Sequence, residues 1–483
     1  MAHEIEVPGP GSGTAPGEPG ETEKPHQFGL TAAMALIVGS VIGVGIFNLP
    51  TSLAAYGPIT LVSMALTTVG ALALALLFAA LSRRLPADGG PYAYARVAFG
   101  NRLGFANAWS YWITAWAGNA AIAVGWVLYV EHFINTSHNR FFSVLLVLAG
   151  LWIPAAINVS GVKNMGSVQV ITTVIKFAVL AFMATVGLFY ISSANFTPWN
   201  VSGESAIAAI GGGMAIALFS YLGVETAAVA AAKVRNPDRN IPRATVLGTI
   251  ATAIVYMLSL TVVFGVVPTA ELADATAPFS DAVNAMFGGA WAGNLMAIAV
   301  IISGFGALNG WTMICAEMPL AAADDGLFPR QFKRMSKKGV PAYGIIASTV
   351  LASIAMIINY LGSNGATVFT TLVLMTGITA AIPYAFSALA QLKWRWVDHQ
   401  AGQTPRFVRD IIVAVLSLVF SILFIWYSRN TGQSFWVYWA PFLLAGGALL
   451  LGIPVYASQR HHLTQPEPVP PYPDDGRTPT KRP

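Results

Sequence analysis

The sequence predicts an all-α protein that crosses a membrane about twelve times. Of its 483 residues, 55% are hydrophobic and only 10% are charged, whereas a soluble protein carries roughly 25% charged residues. Apolar runs of about 20 residues, the length that a helix needs to cross the hydrocarbon layer, recur from Phe28 to Tyr456. Because a helix satisfies its own backbone hydrogen bonds inside lipid, a bundle of helices is the expected architecture.

Each apolar run predicts one membrane-spanning helix. In chain order the predicted spans cover 29–55, 59–82, 103–130, 142–159, 167–193, 205–233, 243–267, 289–323, 341–362, 366–394, 409–428 and 435–457. Residues 1–27 hold five Glu among Gly and Pro, which predicts a disordered tail instead of a cleaved signal peptide. Residues 458–483 are polar and rich in proline, and they predict a second disordered tail.

The distribution of basic residues predicts the orientation in the membrane. Eighteen Lys and Arg residues fall in the loops after the even-numbered spans, against only Arg140 and Arg429 in the opposite loops. Because such residues are retained on the cytoplasmic side, we expect a multi-pass protein of the plasma (inner) membrane with both termini in the cytoplasm. The same bias explains the formal net charge of +5, so the sequence gives no reason to expect a nucleic-acid partner.

Two spans carry sequences that favour a break in the helix. The first span contains Gly39 to Phe47, with three glycines that are costly in a continuous helix. The sixth contains Phe219 to Glu225, with Gly223 at its centre. An alternative for the first cluster is a close packing face between helices. The matching positions favour two inverted halves of about five spans, 28–200 and 201–395, followed by two further spans in 396–457.

These segments resemble a known family. Gly39 to Phe47 resembles the GSxxGxGIF segment of amino acid-polyamine-organocation transporters, and Gly89 to Tyr94 resembles the loop after their second span. Further pieces resemble the basic amino acid/polyamine branch that includes arginine/agmatine antiporters; these lie at 111–119, 199–203, 223–225, 236–242, 310–312 and 321–329. The resemblance covers about 28–390 and implies a LeuT-like fold of about ten core helices plus two, with spans 1 and 6 discontinuous. It also implies a homodimer.

The resemblance implies an amino-acid site at the two breaks. The backbone amides of Val44, Gly45 and Ile46 are expected on the α-carboxylate, at the positive end of a new helix. The carbonyl groups expected on the α-ammonium group belong to Val41, Phe219 and Leu222.

The resemblance also implies a pocket for the side chain of the substrate. Thr114, Ala115, Asn119 and Thr376 fall where arginine exchangers hold the guanidinium group, and Trp311 falls where they cover the aliphatic stem. For Asn119 and Thr376, a hydrogen bond between helices is the alternative interpretation. The resulting expectation is secondary active transport of arginine, ornithine, lysine or their amines, by exchange or proton coupling.

Three departures from the branch leave a second substrate class open. Val44 stands where the exchanger has a serine, Ser40 where it has an asparagine, and Phe219 where it has a tryptophan. Phenylalanine still offers a π face to a cation, although tryptophan offers a better one. Proton-coupled symport of neutral amino acids is therefore the alternative function.

Two charged residues inside the spans are candidates for proton coupling. A charge at a helix centre costs about 2.5 to 3.5 kcal/mol, so it needs a partner or a function. Lys176 matches a lysine of proton-coupled family members and is expected to bridge spans 1 and 8, either releasing its proton during transport or acting as a permanent tie. Glu225 matches a proton-sensing acid, with a permanently ionised helix cap as the alternative. Tyr111 and Tyr384 resemble aromatic gates, or they pack in the core.

Other functional classes find little support in the sequence. The sequence lacks the GxSxG elbow or HExxH pair that would suggest a membrane enzyme. It also lacks the repeated ring of polar groups that a channel filter would need. All seven histidines fall in predicted tails or loops, so neither a metal site nor a cofactor is expected. The single cysteine, Cys315, excludes an intrachain disulfide.

Overall fold

The structure is a computed structural model, and it describes residues 29–85, 89–161, 165–226, 234–402, 406–430, 434–461 and 463. The predicted tail of 1–27 and nearly all of the predicted tail of 458–483 lie outside these residues. The sixth predicted span is described only as far as residue 226.

The described residues before 227 form eight α-helices. These are α1 (Leu30–Val41), α2 (Gly45–Ala54), α3 (Thr60–Arg84), α4 (Pro91–Phe99), α5 (Asn101–Ile134), α6 (Arg140–Val159), α7 (Met165–Thr185) and α8 (Ala206–Ala217). Short 3-10 segments follow α7 and α8, and the one after α8 covers Leu218–Tyr221.

The described residues from 234 onward form nine further α-helices. These are α9 (Pro237–Val266), α10 (Thr269–Asp274), α11 (Pro278–Phe287), α12 (Ala290–Asp324), α13 (Ala342–Tyr360), α14 (Gly365–Gln400), α15 (Phe407–Tyr427), α16 (Phe435–Leu450) and α17 (Gly452–Gln459).

The all-α polytopic class is confirmed. Ten described helical segments are long and apolar enough to cross a membrane. The predicted spans 1 and 6 are missing from these ten. Span 1 is divided, because α1 ends at Val41 and α2 begins at Gly45. In span 6, α8 ends at Ala217 and the described residues stop at 226. The grouping of the helices into two inverted halves stays a prediction.

Glycine allows the two breaks to meet. Gly223 has a φ of +108°, which L side chains rarely adopt. A Cβ atom there would lie 3.0 Å from the carbonyl carbon of Ser40, in the last turn of α1. The second break therefore depends on glycine both for its backbone conformation and for its contact with the first break.

One helix forms the centre of the bundle. In the most apolar 18-residue stretch of α5, 89% of the residues are buried. Helix α5 packs against α12 and α14. A helix that is buried on every side belongs to the core, not to the lipid-facing surface. In the corresponding stretch of α16 and α17 only 17% of the residues are buried, so these two helices lie at the periphery.

Several helix boundaries differ from the predictions. The short helices α4, α10 and α11 were not predicted, because apolar runs of membrane length do not reveal them. Helix α14 continues to Gln400 and α5 to Ile134, so His399 and His132 lie in helices; the prediction that every histidine lies in a tail or loop is wrong. Arg395 was likewise assigned to a loop, yet it is fully buried in α14 because Asp398 pairs with it at 3.0 Å.

A buried ion network marks one end of the bundle. Arg84 is the last residue of α3, and its Nη1 lies 2.7 Å from Oδ2 of Asp398 in α14. Nε of Arg395 lies 3.5 Å from Oδ2 of Asp410 in α15. Removing one member of such a network would leave a buried charge uncompensated. The network therefore holds α3, α14 and α15 together. We call this the basic end, and we call the other end, where α5 finishes at Ile134, the acidic end.

Candidate functional site

The two breaks enclose a small cavity in the middle of the bundle. Its volume is about 20 Å³, room for about one water molecule. Six of its lining residues were predicted: Val41, Gly45, Thr114, Phe219, Leu222 and Trp311. Five others were not: Ser40, Gly43, Gly118, Ile122 and Ser220. An amino acid enters only if lining side chains move.

The remaining predicted residues lie outside the lining in this conformation. They are Val44, Ile46, Ala115, Asn119 and Thr376, all of them buried. Val44 packs toward α12, where a Cβ atom at Gly304 would lie 2.6 Å from its Cγ2. Thr376 lies behind Gly118, whose Cβ position is 3.4 Å from Thr376 Cγ2.

The start of α2 presents unbonded backbone amides. The N–H groups of Val44, Gly45 and Ile46 make no hydrogen bond to any described residue. The first N–H groups of a helix have no partner within the helix, and together they carry a partial positive charge. A Cβ atom at Gly45 would lie 2.6 Å from Cδ1 of Phe219, so the aromatic ring covers these amides closely. The arrangement suits a carboxylate once the ring moves.

Two of the three predicted carbonyl acceptors carry protein donors in this conformation. The Val41 carbonyl oxygen accepts from the Tyr256 hydroxyl group and from the Gly43 amide, both at 2.9 Å. The Phe219 carbonyl oxygen accepts from the Leu222 amide at 3.3 Å. An ammonium ligand would therefore share or displace these donors.

Trp311 lies across the first break. Its indole Nε1 donates a hydrogen bond of 3.2 Å to the carbonyl oxygen of Ser40, and its side chain is buried. This bond connects the middle of α12 to the last turn of α1. Trp311 is thus placed both to line the cavity and to respond when α1 moves.

The polar side chains beside the cavity are mostly satisfied within the protein. Thr114 Oγ1 donates to Thr379 Oγ1 at 3.0 Å, and Asn119 Nδ2 donates to Thr312 Oγ1 at 3.1 Å. Thr376 Oγ1 donates to a carbonyl oxygen of its own helix. Asn119 Oδ1 and Ser220 Oγ are the exceptions, because both are buried and have no hydrogen-bond partner among the described residues. An acceptor without a donor favours a cationic or N–H ligand nearby.

The carboxylate of Glu225 joins three elements. Oε1 accepts from the Tyr111 hydroxyl group of α5 and Oε2 from the Tyr384 hydroxyl group of α14, each at 2.8 Å. Tyr384 lies eight residues beyond Thr376, or about 12 Å along α14 toward the basic end. The three side chains are fully or almost fully buried, so they close the basic side of the cavity.

Lys176 lies in α7 and is fully buried. Its ammonium group donates a hydrogen bond of 2.9 Å to the carbonyl oxygen of Gly39, near the end of α1. The expected contact with span 1 is therefore present. The described residues of α12, in span 8, receive no hydrogen bond from Lys176, although α7 packs against α12.

A buried carboxylate at the acidic end was not predicted from the sequence. Glu131 accepts hydrogen bonds from Asn135 Nδ2 at 2.9 Å and from Ser143 Oγ, and it pairs with His138 at 2.8 Å. Glu131, His138 and Ser143, together with Thr51 of α2, border a cavity of about 370 Å³. The predicted third span ended at residue 130, one residue too early for Glu131 to be counted as an intramembrane charge.

Comparison with known proteins identifies the family. Residues 28–448 match the family model described as amino acid permease. The putrescine transporter PotE of Haemophilus influenzae is 30% identical over 405 residues, which cover 83% of this chain and 91% of that protein.

Two antiporters are similarly related. The arginine/ornithine antiporter of Pseudomonas aeruginosa is 29% identical over 461 residues, covering 92% of this chain and 93% of its own. The cadaverine/lysine antiporter of Escherichia coli is 28% identical over 402 residues, covering 82% and 89%. With ten apolar helices of membrane-spanning length among its described residues, the chain is a multi-pass membrane transporter, not an enzyme, and it belongs to the amino acid permease family.

Proposed function

We propose that this protein is a secondary active transporter of cationic amino acids, namely arginine, ornithine and lysine, or of their amines. The names of its relatives support the substrate class, because they describe transport of putrescine, arginine with ornithine, and cadaverine with lysine. Two of these names describe exchange, which supports an antiport cycle.

The observation that carries the proposal is that two unlike sets of groups lie at the central cavity and directly behind its lining. The unbonded amides at Val44, Gly45 and Ile46 suit a carboxylate. The unpaired Asn119 Oδ1 and the aromatic faces of Phe219 and Trp311 suit a cation without requiring a fixed negative charge. A molecule with both groups, such as a cationic amino acid, uses both sides of the site.

The proposed cycle alternates access between the two ends. Tyr111, Glu225 and Tyr384 form the gate on the basic side, while the cavity bordered by Glu131 lies at the acidic end. The 20 Å³ central cavity represents a closed conformation, and substrate binding displaces Phe219 and Trp311 from the breaks. Rocking of the helices that carry the breaks against the rest of the bundle then exposes one side at a time.

Two buried charges are proposed to couple transport to protons. Glu225 is placed to gain a proton and release the two tyrosines. Lys176 holds the Gly39 carbonyl oxygen, so loss of its proton weakens a bond at the end of α1. The first residue thus controls the gate and the second controls the position of the broken helix.

The basic end is proposed to face the cytoplasm. It carries Arg84 and Arg395 together with most other described basic residues, as the positive-inside tendency requires. Both termini then lie in the cytoplasm. We also expect a homodimer, which the mass of the purified protein without its detergent would reveal.

Uptake into proteoliposomes tests the proposed function. Labelled arginine is offered outside vesicles that contain arginine, ornithine, leucine or no amino acid. We expect saturable uptake that internal arginine or ornithine accelerates. Uptake driven by a proton gradient, selective for leucine and indifferent to internal amino acid, would instead establish symport of neutral amino acids. Uptake that does not saturate would contradict a carrier.

A further inference from the structure

We propose that a groove at the basic end, formed by α3, α9, α14 and α15, binds one anionic phospholipid. In this arrangement arginine side chains hold the phosphate group, and the apolar walls of the same groove hold the start of an acyl chain. The groove lies apart from the central cavity, and the two share no lining residue.

The groove is large enough for a lipid headgroup. Its volume is about 430 Å³, larger than both the central cavity and the cavity bordered by Glu131. Arg83 from α3, Arg243 from α9 and Arg409 from α15 converge on it from three different helices. Arginines from three directions are the arrangement that grips a phosphate group with several hydrogen bonds.

The charge of the groove favours an anion. Arg83 and Arg243 form no ion pair with a carboxylate of the described residues. The one acidic lining residue, Asp410, is already neutralised, because Oδ1 lies 2.6 Å from Nη2 of Arg409 and Oδ2 lies 3.5 Å from Nε of Arg395. Within the described part of the chain, two guanidinium groups are therefore left to attract a ligand.

The remaining walls favour a lipid over a soluble anion. Leu76 of α3 and Leu247 of α9 line the groove and are 41% and 47% exposed. The exposed apolar face of α9 continues away from the basic end through Ile250 and Ile254. Because these residues face hydrocarbon in a membrane protein, an acyl chain can leave the groove along α9 without meeting water.

The location also matches the interface of a bilayer. Arg83 is the penultimate residue of α3, and Arg243 lies in the second turn of α9, so both lie near the ends of membrane-spanning helices, where lipid phosphate groups are expected. Basic pockets between membrane helices are recognised sites for anionic lipid headgroups. In this protein the basic pocket is a defined cavity, and the exposed apolar face of α9 continues from it.

Native mass spectrometry of the full-length protein tests this proposal. The purified protein is titrated with phosphatidylglycerol, and separately with phosphatidylcholine, inorganic phosphate and glycerol 3-phosphate. The test variant is Arg83→Gln/Arg243→Gln. The matched control is Arg330→Gln/Arg334→Gln, which removes the same charge from exposed positions in the loop after α12. A third variant, Ala80→Phe, fills the groove and keeps every charge.

We expect the wild type and the control variant to bind phosphatidylglycerol with equal affinity and the test variant to bind it about tenfold more weakly, since charge-assisted contacts are lost. Ala80→Phe should lose the same binding. Equal affinity in all four proteins, or equal binding of phosphatidylcholine, would overturn the proposal. If glycerol 3-phosphate or phosphate displaces phosphatidylglycerol at equal concentration, the site binds a soluble anion and not a lipid. Should the arginine variant fail to fold, Ala80→Phe alone decides the outcome.

Discussion

The Tyr384 hydroxyl group donates a hydrogen bond of 2.8 Å to Oε2 of Glu225, although the two residues are 159 positions apart in the chain. Tyr111 donates to the other oxygen of the same carboxylate. The residue that follows the second break is thereby tied to the two long helices α5 and α14. A change in the charge of one carboxylate therefore reaches three elements at once, which is what a gate requires.

Glu225→Gln should flatten the dependence of transport on pH between about pH 5 and 8, because the amide cannot gain or lose the proton that changes the gate. Uptake of labelled arginine in proteoliposomes across this range is the measurement. Tyr384→Phe, which removes one of the two hydroxyl donors, should give a smaller change in the same profile. Glu204→Gln, at an exposed loop position, serves as the control and should retain the wild-type profile. An unchanged profile in Glu225→Gln would exclude this residue from proton coupling.

Lys176→Ala should strongly reduce net proton-dependent uptake while leaving the protein folded, because the ammonium group that holds the Gly39 carbonyl oxygen is lost. Initial rates with and without a proton gradient measure the effect, and size-exclusion chromatography reports folding. Lys333→Ala, an exposed position near the end of α12, is the matched control. Wild-type rates and pH dependence in Lys176→Ala would reduce this lysine to a structural tie.

Trp311→Ala should weaken substrate binding by about tenfold or more, because it removes an aromatic face from the cavity and the hydrogen bond to Ser40. Trp439→Ala, in the peripheral helix α16, removes an equally large side chain far from the breaks and should leave binding nearly intact. Ligand titration of the two purified variants decides the matter. Equal losses would mean that packing, not contact with the substrate, explains Trp311.

Gly223→Ala should impair transport and lower the melting temperature. Its φ of +108° strains any residue with a Cβ atom, by about 1 to 3 kcal/mol, and the new atom would also approach the carbonyl carbon of Ser40 at 3.0 Å. Gly446→Ala is the matched control, since a Cβ atom there meets no other atom within 4 Å and lies in a regular helix. If both variants melt and transport alike, the left-handed turn at Gly223 does not support the break.

The sequence was sufficient to predict the long apolar helices and the position of both breaks, but not the short helices α4, α10 and α11. Membrane spans are predicted from long apolar runs. The first break is predicted because the three glycines of Gly39 to Phe47 would be costly in a continuous helix. Phe219 was predicted as a binding residue, but its position over Gly45 was not, because contact between two distant breaks depends on how the halves pack.

The misassigned residues share a physical cause. Glu131 and Arg395 lie at the ends of helices that continue beyond their apolar runs, so a boundary drawn from hydrophobicity placed them in loops. Both are buried with polar partners: Glu131 accepts hydrogen bonds from Asn135 and Ser143 and lies 2.8 Å from His138, and Arg395 pairs with Asp398. A hydrophobicity pattern along the sequence does not show which residue a charged side chain will contact in the folded protein.

The decisive experiment is isothermal titration calorimetry of the purified protein with a panel of small molecules. We predict that arginine, ornithine and lysine bind at one site, that leucine binds more weakly because it leaves Asn119 Oδ1 unpaired, and that glucose does not bind. In Trp311→Ala the heat signal of the three cationic amino acids should fall together. Failure of all three cationic amino acids to bind, with heat released by leucine or glucose instead, would contradict both the substrate class and the assignment of the site to the two breaks.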